Sequence, residues 1–130
     1  MSISPWMDSV KLTSPNGRIT ATIRDAIEVA MGAPTRGQLI LSNGISVPNC
    51  NPSIVWSSDS EYLAVPQWTS DRRQRLLVIA ICKKQLGYAP DVYDVLHLDA
   101  FHSGIITGIH SPIHLPRAIK VALSDIEWRK

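Results

Sequence analysis

Trp56-Ser57-Ser58-Asp59-Ser60-Glu61-Tyr62-Leu63-Ala64 joins a polar turn to a strand-like run, and an echo of it stands 43 residues earlier. Ser14-Pro15-Asn16-Gly17-Arg18-Ile19-Thr20-Ala21 has the same layout. Pro15 presets φ at the second position of a turn, and Asn16-Gly17 tolerates the backbone of a tight reversal. The same step forward lands on Ala100 to Thr107, where the likeness is faint. A period of roughly 40–45 residues built from turns and short strands marks a stacked sheet repeat. The repeat predicts a sheet-rich scaffold and implies no chemistry.

The chain on either side reads as further strands. Arg18 to Arg24 alternates, with Ile19, Ala21 and Ile23 on one face and Arg18, Thr20, Thr22 and Arg24 on the other. Ala26 to Met31 fits a strand or one helical turn, and the nearby Gly32 and Pro34 favour the strand. Gly37 to Ser42 followed by Asn43-Gly44 reads as a strand and a hairpin turn. Ser53 to Trp56 and Glu61 to Gln67 read as strands, and Thr69 to Arg73 as a polar connection. Gln74 to Lys84 reads as a central buried strand or a helix, and the β-branched Val78, Ile79 and Ile81 favour the strand. Gly87 to Pro90 predicts a turn, Gly104 to Ile109 a strand, and Arg117 to Trp128 a final strand pair or short helix. The expected fold is all-β, or β-rich with one short helix, in a single domain over residues 1–130.

The segment Trp56 to Ala64 resembles the blade signature of TolB-like and Trp-Asp-repeat β-propellers, in which a Trp-Ser-Pro-Asp-Gly turn leads into a strand ending near an Ala. Such propellers close rings of about four to eight blades. This chain holds material for two to three, so the resemblance implies an antiparallel sheet of propeller-like blades that stays open or becomes sandwich-like.

Composition bounds the function. Hydrophobic residues make up 45% and charged residues 18%, which predicts a packed core. A net charge of +2 gives no bulk argument for nucleic acid. Met1 to Val10 lacks a basic start and an apolar run, and no stretch approaches a membrane span, so a cytoplasmic protein without membrane contact is expected. Cys50 and Cys82 are either free thiols in a reducing compartment, the favoured reading, or one bridge. Cys82 ends an apolar run and reads as a buried small hydrophobe.

Chemistry-bearing residues form no familiar catalytic pattern. His97, His102, His110 and His114 are the histidines, and Pro112 forbids the helix that would align His110 with His114. Asp94 and His97 are three apart and would face opposite sides of a strand. No metal or cofactor is expected, and the chain is not read as an enzyme. Arg72, Arg73 and Arg75, with Lys83 and Lys84 nearby, follow Trp68, and arginine beside tryptophan is the composition of a binding hot spot. Trp68 is expected to be a partly exposed anchor. Trp56 is expected to pack at a turn, and Trp6 and Trp128 to cover the ends of the sheet. An acidic patch of Glu61, Asp91, Asp94 and Asp99 could serve a basic partner face.

These residues point to a protein-binding domain, with an immunity protein that blocks a cognate toxin as the leading expectation. The alternative is a homo-oligomeric, propeller-like lectin or small-ligand binder. A third class is an enzyme using the His97 to His114 region. Nucleic acid is an unfavoured partner, because the basic cluster holds no second stacking aromatic.

Overall fold

The sequence repeat is a hydrogen-bonding device. The computed structural model describes residues 3–7, 9–28, 33–111 and 115–129. In it, Ser14 Oγ donates to Asn16 Oδ1 at 2.7 Å, and the Arg18 amide donates to the same oxygen at 3.0 Å. The Ile19 amide returns to Ser14 Oγ at 3.2 Å. The second copy repeats each contact. Ser57 Oγ donates to Asp59 Oδ1 at 2.6 Å, the Glu61 amide donates to Asp59 Oδ1 at 3.0 Å, and the Tyr62 amide donates to Ser57 Oγ at 3.0 Å. In both turns a short polar side chain replaces backbone partners, which is why these residue types recur there. The left-handed position that closes the turn is Gly17 (φ 76°) in one copy and Ser60 (φ 64°) in the other. The faint third echo lacks this set. Ser103 and Gly104, both with positive φ, form a two-residue hairpin in which Ile105 pairs with His102.

The turns organise three antiparallel meanders. The first is β1 (Val10–Thr13), β2 (Thr20–Glu28), β3 (Thr35–Leu41) and β4 (Ser46–Cys50). The second is β5 (Val55–Trp56), β6 (Tyr62–Trp68), β7 (Gln74–Ala80) and β8 (Gln85–Tyr93). The third is β9 (Leu96–His102), β10 (Ile105–His110) and β11 (Arg117–Ala122). A single 3-10 turn (Leu123–Asp125) then leads to β12 (Glu127–Trp128), which pairs with β8. The first two meanders are continuous through one residue pair, Cys50 with Gln67, whereas β9 to β11 form a separate sheet. The fold is all-β and antiparallel, and among the described residues neither sheet closes on itself.

The layers stack with the second meander in the middle. Leu63 and Val65 of β6 and Leu77 and Ile79 of β7 pack with Ala21, Ile23, Leu39 and Leu41 of the first meander. The alternate residues Ala64, Leu76 and Val78 pack with Leu96, Leu98, Phe101 and Ile106 of the third. A strand covered on both faces has no solvent side, so β7 reads as an unbroken apolar run. Each buried Leu, Ile, Val or Phe among these contributes about 1.5–3 kcal/mol. Polar contacts lock neighbouring layers. Trp56 Nε1 donates to the Leu12 carbonyl at 3.0 Å, and the Leu98 amide donates to Ser53 Oγ at 2.9 Å. Asn51 Nδ2 donates at 3.0 Å to both Gln74 Oε1 and the Leu96 carbonyl, and the Leu96 amide donates to Gln74 Oε1 at 2.7 Å.

Four expectations are corrected. Gly87 to Pro90 is no turn but part of β8. A Cβ on Gly87 would stand 2.5 Å from Ile126 Cγ2 and 2.7 Å from the Trp128 ring, so the glycine lets the last strand dock. Pro90 falls where the β7–β8 register shifts between Arg75 and Leu77, a place where a missing N–H is tolerated. The central strand stops at Ala80, and residues 81–84 turn, so Cys82 is exposed rather than buried. The chain end holds two strands joined by the 3-10 turn, but they do not pair with each other: β11 pairs with β10 and β12 with β8. The expected strand over Ala26 to Met31 holds through Glu28, and its last residues lie outside the described ones. Among the described residues, no helix is long and apolar enough to cross a membrane.

Candidate functional site

Because the strands alternate in direction, the connections sort to two ends of the stack. One end carries the repeat turns, residues 42–45 and 81–84, and the Ser103-Gly104 hairpin. The other carries the turn over residues 69–73, the ends of β2, β8 and β10, and the starts of β3, β7, β9 and β11. The ends differ sharply in chemistry. The large hydrophobic side chains exposed among the described residues are Met7, Ile27, Val92, Ile109 and Leu115. All five belong to the second end. Met7 is held there by Thr35, whose hydroxyl donates to the Met7 carbonyl at 2.5 Å. Ile27 pairs with Arg36, Val92 with Arg75, and Ile109 with His97, while Leu115 leads into β11.

The same end holds Arg72, Arg73 and Arg75, and each has a different setting. Arg73 Nε lies 3.4 Å from Asp94 Oδ1, and its guanidinium donates to the Val92 carbonyl at 3.5 Å. Arg75 sits over the Tyr88 ring, 3.8 Å from its centroid, and Arg129 lies 4.7 Å from the same centroid. The Tyr88 hydroxyl is fixed by donation to Gln67 Oε1 at 3.0 Å. Arg72 is exposed and occupies the left-handed region at φ 63°. Its turn is a third use of the repeat device: Thr69 Oγ1 donates to Asp71 Oδ1, and the Arg73 amide donates to Thr69 Oγ1 at 3.1 Å. The Thr69 hydroxyl, foremost among several causes, holds the Asp71 carboxyl below the usual carboxylate range. The nearest sequence signal was the polar run Thr69-Ser70-Asp71, which reads as a connection and hides the likeness to Ser57-Ser58-Asp59.

Trp68 is not the half-exposed anchor expected of it. The residue is only 9% exposed, and Nε1 donates to the Thr35 carbonyl at 3.0 Å. It forms one wall of a hollow of about 400 Å³, together with Ile27, Arg36, Asn49, Ser70 and Arg72. Lys83 and Lys84 leave the basic cluster altogether. They lie beyond β7, whose seven residues place them about 23 Å away, at the opposite end. The acidic patch also divides. Asp91 and Asp94 stand at the arginine end, Glu61 follows the second repeat turn, and Asp99 lies on the outer face of the third meander. Trp128 covers a sheet edge as expected, its ring tilted against Tyr62 (centroids 6.0 Å apart) in a strand added to β8.

The histidines are dispersed. His97 and His110 occupy successive pairs of one ladder and so face opposite sides of the third sheet, while His102 stands at the repeat-turn end. His114 lies outside the described residues. Burial pushes the His97 imidazole down, against an opposing pull from Asp99. Asp94 meets His110 instead of His97: the Asp94 amide donates to His110 Nε2 at 3.0 Å, and the Tyr93 ring meets the imidazole edge-on at 5.3 Å. The Asp94 carboxylate is 3.8 Å from the same nitrogen, a poorer contact than the amide makes. With its lone pair taken by that amide, Nε2 is not presented to a substrate. No group of three potential metal ligands occurs among the described residues.

No protein-family model matches this chain, and no curated protein or solved structure is significantly similar to it.

Proposed function

We propose that the chain is a protein-binding domain that acts as an immunity-type inhibitor, blocking a cognate toxin by direct contact through its arginine end. The observation that carries this reading is the gathering of Met7, Ile27, Val92, Ile109 and Leu115 at the end that bears Arg36, Arg72, Arg73 and Arg75. Exposed apolar side chains gathered at one place mark an interaction surface, and methionine and arginine are residues that protein interfaces favour. A specific complex needs about 800 Å² from each partner, and the candidate surface is the end of a stack three layers deep. The stack supports the inhibitor role because a scaffold locked by buried polar contacts loses little freedom on binding. Kinship with propeller blades belongs to the same proposal and draws support from the shared turn chemistry and the face-to-face stacking of the meanders. A cytoplasmic location fits two cysteines that are free, one buried and one exposed.

The test is capture of the tagged chain from its native host, with the native mass of the complex and relief of the partner's toxicity on co-expression. A single stoichiometric toxin, lost on Arg73→Glu, supports the reading. Trp68→Ala is unsuited to this test, because it removes a buried ring.

A second reading is a homo-oligomer with a ligand site. It draws on the open outer face of the third meander, where His97, Asp99, Thr107, Ile109, Ala118 and Lys120 line a hollow of about 490 Å³. The outer face of the first meander is polar, with Thr22, Arg24, Gln38 and Ser46, and is a poor match for head-to-tail stacking. Recovery of the chain only as a closed multimer of itself would favour this second reading.

A further inference from the structure

Arg36 and Arg72 differ from the other arginines at their end of the molecule. Arg73 is engaged by Asp94, and Arg75 by Tyr88. The side chains of Arg36 and Arg72 make no ion pair, hydrogen bond or ring contact with a described residue, yet both residues line the same hollow. Two guanidiniums on one concavity repel each other and are stabilised by an anion between them. The backbone adds an independent observation. Two residues of this hollow, Asn49 (φ 62°) and Arg72 (φ 63°), stand in the left-handed region. Asparagine tolerates that region, but arginine has no local compensation for it. The equivalent turn position is Gly17 in one repeat copy and the small Ser60 in the other. An arginine at this position lines the hollow at a cost in backbone strain.

The rest of the lining selects among anions. Ile27 is 60% exposed at the rim, and the flat Trp68 ring is fixed by its bond to Thr35. A bare phosphate gains nothing from these two side chains. A carboxylate carried on methylenes does, since its stem can lie on the apolar wall while its oxygens meet the arginines.

We infer that the hollow between Arg36 and Arg72 receives an acidic side chain, Glu or Asp, from the protein partner. This inference rests on the protein-binding reading and names its anchor. The arginine end thus engages an acidic surface, with the apolar rim of Ile27 excluding water from the charge pairs.

The test has two arms. In the first, the 15N-labelled chain is titrated with the blocked peptide acetyl-Gly-Glu-Leu-Gly-amide, its Gln counterpart and inorganic phosphate. The side-chain resonances of Arg36, Arg72 and Trp68 are followed. The Glu peptide should shift all three and bind about ten-fold or more tighter than the Gln peptide, since a charge-assisted bond is lost. Equal binding of the two peptides, shifts that map elsewhere, or phosphate as the stronger ligand would overturn the inference. In the second arm, the captured partner is bound to Arg36→Gln and Arg72→Gln variants whose melting curves match wild type. Each should weaken the complex about ten-fold or more, with a shallower salt dependence. An unchanged affinity overturns the acidic anchor and leaves the protein-binding reading standing. Binding of the Glu peptide with no partner captured has the opposite meaning.

Discussion

The Asn16 amide donates to the Ser60 hydroxyl across 2.9 Å, joining the two repeat turns through residues 44 apart in the chain. Each turn first satisfies itself with a hydroxyl and an Asn or Asp oxygen. The bond between them then fixes the first meander to the second. The Ser58 amide continues the chain of contacts, donating to the Phe101 carbonyl of the third at 3.1 Å. One end of the stack is therefore tied by turns, which leaves the other end free to carry exposed apolar surface.

Asp59 and Asn16 are equivalent, and that sets the pH dependence of the second turn. The Ser57 hydroxyl, and then the Glu61 amide, hold the Asp59 carboxyl below the usual carboxylate range. A depressed folded value stabilises above the ordinary carboxylate pKa of about 4 and loses that stability as pH falls through the folded value. Asp59→Asn should keep the turn, as Asn16 does, and lose this acid sensitivity. Asp59→Ala should cost about 1 kcal/mol at neutral pH. Urea midpoints from about pH 5 to pH 2.5 test both, and superimposable profiles for wild type and Asp59→Asn would defeat the assignment.

The two cysteines should react on different timescales. Burial pushes the Cys50 thiol up to about 12, so almost none of it is thiolate at neutral pH. Cys82 is exposed in the turn after β7. A thiol reagent should modify one cysteine promptly in the native protein and the second only on unfolding. Peptide mapping should place the fast site at Cys82, and a fast reaction at Cys50 would refute its burial.

Gln74 holds the second and third layers together from inside. Its Oε1 accepts from Asn51 and from the Leu96 amide, and all of these groups are buried. Gln74→Leu removes that acceptor and strands a buried amide, which costs about 1–3 kcal/mol. The same change also deletes Nε2, a buried donor with no partner among the described residues, which offsets part of the loss. A net destabilisation of about 1–2 kcal/mol by urea denaturation is expected. A stabilised variant would show that the orphan donor outweighs the network.

Much of this fold was legible because its signals are local. Ser14 to Gly17 and Ser57 to Ser60 announce turns through side chains that bond their own backbone, and β7 announces burial on both faces by losing alternation. What failed was of two kinds. Gly87 and Pro90 are turn residues by local preference, yet one makes room for Trp128 and the other sits at a register shift, and neither neighbour is near in sequence. Cys82 and the lysines were misplaced because an apolar run does not mark where a strand ends. Two residues past Ala80 the chain has already turned. The hollow was half legible: Arg72 and Trp68 were singled out, but Arg36 and Ile27 come from the β2–β3 hairpin, and only the β3–β4–β6 pairing brings that hairpin to them.

Arg72→Gly separates stability from binding. A left-handed conformation costs a non-glycine residue about 1–2 kcal/mol, while glycine returns about 0.5–1 kcal/mol of that through the entropy of the unfolded chain. The variant should therefore be as stable as wild type or more stable by up to about 1.5 kcal/mol, a rise in Tm of a few degrees. It should also bind the partner more weakly, having lost one of the two arginines that line the hollow. A loss of stability would mean that the Arg72 side chain supports the turn, and the argument from strain would fall. Higher stability with unchanged binding would leave the strain without a purpose at this surface. Only the combination of a firmer fold and a weaker complex is explained by an arginine retained for its reach into the hollow.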